Sequence, residues 1–86
     1  MSGTNDKTGP IEVCLNQPHF TVTGQVVYED ETTQTLDVES LSLRGAEREM
    51  TGWFISQGYE PVGRWKAVEG STTEVTRRFK PAKDRS

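Results

Sequence analysis

Ser42-Leu43-Arg44-Gly45-Ala46-Glu47-Arg48-Glu49-Met50-Thr51-Gly52-Trp53-Phe54-Ile55-Ser56-Gln57, followed by Gly58 and Tyr59, is the one segment of this chain with a clear helical period. Set at 100° steps, Leu43, Ala46, Met50, Trp53 and Phe54 fall within a stripe about 100° wide, the span of a core-facing helix. Ser42 is placed to cap the free N–H groups of the first turn. Leu41 and Ala46 occupy the positions of a hydrophobic staple. Gly58 suits a left-handed residue just past the end, with Tyr59 folding back toward Phe54 as in a Schellman motif. Start, stop and stripe agree on a helix over Ser42–Gln57.

On either side of the helix the apolar period changes from 3.6 to 2, the period of strands. Ile11, Val13 and Leu15 mark a first short strand, and Asn16-Gln17-Pro18-His19 a turn. Phe20, Val22, Gly24, Val26 and Tyr28 then share one face of a longer second strand. Gly24 within it signals a bulge or the close approach of another element. Glu29–Thr32 forms a charged hairpin tip, and a third strand covers about Thr33–Glu39 with Leu36 and Val38 facing in. After the helix, Val62–Val68 and Thr73–Lys80 are two further strands around the turn Gly70-Ser71-Thr72. Pro10, Pro18, Pro61 and Pro81 are expected at strand ends, since each lacks a backbone donor. The fold class is therefore α+β: an antiparallel sheet of about five strands, one helix on one face, in the order β-β-β-α-β-β.

The chain has 86 residues, enough for one domain. Residues 11–80 are assigned to it, with polar tails at 1–10 and 81–86. Hydrophobic residues make up 31% and charged residues 27% of the chain, toward the polar end of foldable compositions. No apolar run approaches the ~20 residues of a membrane span, and the polar stretch Met1–Pro10 gives no expectation of a secretory signal. A cytoplasmic protein is expected, without membrane contact. The single Cys14 allows no internal disulfide.

The net charge of −3 is unevenly spread. Up to Leu43, seven acids face the single base Lys7, a balance of −6; from Arg44 on, nine bases face six acids, a balance of +3. Two mutually attracting halves of one sheet, or a basic face for an anionic partner, both fit this split.

No constellation for catalysis can be named, so an enzyme is not expected. His19, the sole histidine, follows Pro18 in a turn and has no marked partner. Cys14 sits between Val13 and Leu15, where a free cysteine acts as a small hydrophobe. One cysteine and one histidine do not make a structural zinc site. Glu29-Asp30-Glu31, Asp37 and Glu39 lack the spacing and central glycine of a calcium loop. The glycines have no phosphate-loop spacing. No cofactor and no metal are expected.

Two surfaces remain as candidates for binding. Gly45 and Gly52 lie seven apart inside the helix, opposite its apolar stripe, and each lowers helix stability by ~1 kcal/mol relative to alanine. Arg44, Arg48 and Ile55 border them. The like charges Arg44 and Arg48 stand at i,i+4, with Glu47 near enough to Arg44 to pair with it. Arg44, Gly45, Arg48, Gly52 and Ile55 thus form a candidate partner-binding face: the glycines admit a partner's backbone, Ile55 anchors it, and the arginines hold carboxylate or phosphate. Arg64, Lys66, Arg78 and Lys80 alternate along the last two strands and form a candidate anion or nucleic-acid face. One helix covers only one face of such a sheet, leaving the other solvated or bound. Trp65 and Phe79 are offset from these bases, so the stacking aromatics of a nucleic-acid sheet are missing from that face.

Ser40–Trp53, then Gln57-Gly58-Tyr59-Glu60-Pro61-Val62-Gly63-Arg64-Trp65 and the closing Arg77-Arg78-Phe79-Lys80-Pro81, resemble a group of small uncharacterised actinobacterial proteins. The resemblance covers most of residues 20–81 and implies no activity. The expectation is a small non-enzymatic interaction or accessory protein that self-associates, as a homodimer, or binds a protein partner. The alternative is a nucleic-acid-associated regulator using the arginines of the helix back face or the bases of the last two strands.

Overall fold

The computed structural model describes residues 9–82. Its elements are β1 (Ile11–Asn16), β2 (Thr23–Val27), β3 (Thr33–Leu36), α1 (Leu43–Ser56), β4 (Tyr59–Ala67) and β5 (Glu74–Pro81). The strands form one antiparallel sheet in the order β3-β2-β1-β5-β4. The first three strands make a meander. The helix then carries the chain across one face of the sheet to the far edge, and the β4–β5 hairpin returns β5 to the side of β1.

Strand alternation assigns the faces. Ile11, Val13 and Leu15 of β1 are buried. They pair with Val26 and Gly24 on one side and with Phe79, Arg77 and Val75 on the other. Ala46, Met50 and Phe54 of α1 complete the core with Val22, Val26 and Phe79. Phe54 packs on Phe79 at 5.2 Å and on Tyr59 at 5.8 Å, and Trp65 meets Phe79 at 6.2 Å. These aromatics join the helix to β4 and β5, and burial of a side chain of this size contributes about 1.5–3 kcal/mol.

The helix ends follow the expected chemistry. The Ser42 Oγ accepts from Gly45 N at 3.0 Å. Gly58 takes φ 96° and donates to the Ile55 carbonyl at 3.1 Å. Gly24 marks a close approach rather than a bulge: a Cβ there would lie 3.0 Å from Val38 Cγ2 and 3.2 Å from Leu15 Cδ2.

Several expectations are corrected. Phe20 does not open an inward strand face; β2 starts at Thr23, and Phe20 is 85% exposed. The Gln17 side-chain amide donates to the carbonyls of Phe20 (3.0 Å) and Leu41 (2.7 Å), holding the 18–21 segment out of the sheet, while Gln17 N donates to the Thr73 carbonyl at 3.0 Å. Leu41 is itself 75% exposed, so it makes no buried staple on Ala46. Trp53 is not a core residue but 46% exposed, edge-on to Phe54 at 4.8 Å. It stands at the border of the apolar stripe, and α1 lies over β1 and β4, leaving its β3 flank open. Pro61 falls inside β4, not at a strand end, and an edge strand tolerates it. Pro81 belongs to β5 rather than to a tail. The remainder of the expected tails, 1–8 and 83–86, lies outside the described residues. Among the described residues, no helix is long and apolar enough to cross a membrane.

Candidate binding groove

On β5, Val75, Arg77 and Phe79 point to the helix side of the sheet. Arg77 thus occupies a position where strand parity calls for an apolar side chain; directly opposite it stands the buried Val13. An irregularity in β4 accommodates it. Between the pairs Val62↔Arg78 and Lys66↔Thr76, β4 places Gly63, Arg64 and Trp65 opposite the single residue Arg77. Gly63 adopts φ 69° there, a left-handed conformation that glycine takes without strain. Its carbonyl accepts from Arg77 Nη2. The Arg77 guanidinium also lies 5.9 Å from the centre of the Phe79 ring, within range of a cation–π contact. Its Nε is buried without a hydrogen-bond partner.

Above Arg77 runs an open groove of about 660 Å³ between α1 and β4. Arg44, Arg48 and Gly52 of the helix form one wall with Glu47 and Thr51; Trp65 and Arg77 form the other. Trp65 is fixed by its indole N–H, which donates to Thr51 Oγ1 at 3.0 Å. Three arginines from two elements therefore share one groove with a single carboxylate. Among the described residues none of the three forms an ion pair, so Glu47 does not pair with Arg44 as expected.

Of the expected partner-binding face, Arg44, Arg48 and Gly52 are brought together. A Cβ on Gly52 would meet nothing within 4 Å, so no packing inside the molecule requires glycine there. Gly45 is different: a Cβ would stand 3.1 Å from Ser42 Oγ and 3.2 Å from Ser40 Cβ, so its small size serves the cap. Ile55 is 52% exposed but does not line the groove. Arg77, Thr51 and Trp65 were not among the expected residues. The signal for Arg77 was its parity, a cation at an inward position between Val75 and Phe79.

The second expected face is only partly assembled. Arg64, Lys66 and Arg78 line a cavity of about 430 Å³ on the open side of the sheet, which Gly63 and Arg77 also border. Glu12 lies among them, opposite Arg78 in the β1–β5 register, and accepts from Thr76 Oγ1 at 2.8 Å. Lys80 is drawn away into an ion pair with Glu60 at 3.3 Å. No aromatic residue lines that cavity.

The residues set aside for catalysis lie elsewhere. Burial pushes the Cys14 thiol pKa up, with neighbouring Glu12 and Glu74 acting in the same direction against a hydrogen bond shared with Thr76. The thiolate is therefore disfavoured. His19 is exposed, with no partner among the described residues. At the acidic hairpin tip, Asp30 Oδ1 accepts from the backbone N (3.0 Å) and hydroxyl (2.6 Å) of Thr32, a local turn. Among the described residues no group of three or more His, Cys, Asp or Glu is arranged to hold a metal.

Comparison with protein-family models, with curated proteins and with solved structures finds no match for this chain.

Proposed function

We propose that this chain is a non-enzymatic interaction protein that binds a carboxylate-rich protein segment in the groove between α1 and β4. The convergence of Arg44, Arg48 and Arg77 on that groove, with Glu47 as the one opposing charge, carries this proposal. Charged groups removed from water are stable only when paired and hydrogen-bonded. Arg77, half-buried among aromatics without an ion pair, meets that condition when an anionic group enters the groove. Guanidinium groups bind carboxylates through paired, planar hydrogen bonds, which gives such a site direction as well as charge. Gly52 leaves room for a partner's backbone. Nucleic acid is the less favoured ligand, because Trp65 is tied to Thr51 and the basic cavity on the open sheet face lacks aromatics.

Trp65 serves as the reporter. In a Trp53→Phe variant, titration with a short oligoglutamate peptide at low salt produces a saturable change in Trp65 emission. The change weakens as salt rises, since the contacts are partly exposed, and it disappears in Arg48→Glu. An unchanged emission spectrum together with no binding by calorimetry contradicts the proposal. Binding of a single-stranded oligonucleotide in place of the peptide assigns the groove to nucleic acid.

A further inference from the structure

Glu31 is the one non-glycine residue at positive φ among the described residues, at 72°. It stands at the tip of the β2–β3 hairpin, where Tyr28 N donates to the Thr32 carbonyl and Glu31 N to the Tyr28 carbonyl, both at 2.9 Å. Glycine or asparagine is the favoured residue in that conformation, and a glutamate there stores roughly 1 kcal/mol of strain. The neighbouring Glu29 and Asp30 are acidic too, and all three residues are exposed. The inward arginine and the left-handed glutamate are both places where the molecule gives up local stability. The two carry opposite charges. They belong to opposite halves of the sheet, Glu31 next to the β3 edge and Arg77 next to the β4 edge.

We infer that the segment taken by the groove is the acidic β2–β3 tip of a second copy of this chain, so that two copies exchange tips reciprocally in a two-fold dimer. This inference rests on the proposed role of the groove. In a two-fold arrangement the same contact occurs twice, the tip of each copy entering the groove of the other, and the assembly closes. Glu31 supplies its carboxylate to Arg44, Arg48 and Arg77, and the open space at Gly52 receives the hairpin backbone. The acidic tip and the basic groove of each copy are then apposed to their complement.

Sedimentation of the purified full chain tests this pairing. The wild type forms a dimer at low salt whose dissociation constant rises with ionic strength. Arg48→Glu and Glu31→Lys each weaken it by at least about tenfold, and both variants fold, since both positions are exposed. An equimolar mixture of the two variants regains the dimer. One contact in the mixed pair is native, and the other is a charge-swapped complement. Arg44→Glu in place of Arg48→Glu gives the same result. A wild type that stays monomeric up to about 1 mM, variants that dimerise as the wild type does, or a mixture that remains monomeric each overturn the inference. A monomer that still binds oligoglutamate overturns the pairing alone and leaves the groove's role standing; a monomer that binds no oligoglutamate overturns both.

Discussion

Gly52 and Gly63 differ in what a side chain would do to them. Gly52 lies in the helix interior with open space where a Cβ would stand. Gly52→Ala should raise stability by about 0.8–1 kcal/mol, the helix propensity difference. It should also weaken oligoglutamate binding, because the new methyl group projects into the groove. Gly63 has open space as well, but its φ is 69°. Gly63→Ala should therefore lower stability by roughly 1–2 kcal/mol and disturb the carbonyl that holds Arg77. Urea denaturation of both variants checks the opposite signs. Two stabilised or two destabilised variants would contradict the roles given to these glycines.

At the scale of elements, the helix is held at three points rather than two. Besides the Ser42 cap and the Gly58 ending, the Glu49 carboxylate accepts from the backbone N–H groups of Glu39 and Ser40 and from the Ser40 hydroxyl, the shortest contact being 2.8 Å. The Glu39 N–H, chiefly, lowers its pKa. A carboxylate whose folded pKa is depressed adds stability above its unfolded pKa and loses it as pH falls through the folded value. The thermal midpoint should thus drop on acidification below the ordinary glutamate range, and Glu49→Gln should be less stable at neutral pH with a shallower acid slope. An acid slope unchanged by the substitution would remove this role from Glu49. Much of this element was legible beforehand, because capping, apolar period and left-handed glycine are local. Trp53 and Leu41 were misjudged because their burial depends on where the helix lies over the sheet, which no local pattern encodes. Phe20 was misjudged for a related reason: the side chain of Gln17 reaches the distant Leu41 carbonyl and takes residues 18–21 out of the strand. Glu49 had no sequence signal at all, its partners being nine and ten residues away in a loop. Arg77 did have one, in its parity with Val75 and Phe79, but the bulge that seats it shows only in the β4–β5 register.

Across the whole molecule, strand order sets the strands of the acidic and the basic halves of the chain side by side. β1, β2 and β3 bring the acidic half together, β5 and β4 the basic half, and the seam between them sets Glu12 opposite Arg78. Glu12 is the one charged residue that β1, β2 and β3 carry; the other described acids of that half lie in the turns and loops. The basic residues of the open face are partly balanced there by Glu12 and Glu60. In the groove three arginines face Glu47, and in the open-face cavity four bases face Glu12; what separates the two surfaces is the Trp65 ring, which lines the groove alone. Backbone amide shifts recorded by NMR during an oligoglutamate titration distinguish them directly. Binding in the groove moves the resonances of Arg44, Arg48, Thr51 and Gly52 together along one saturable curve, leaving Cys14 and Lys66 in place. Shifts confined to the open face around Cys14, Lys66 and Arg78, or no saturable shifts at all, would contradict the assignment of the groove as the binding surface.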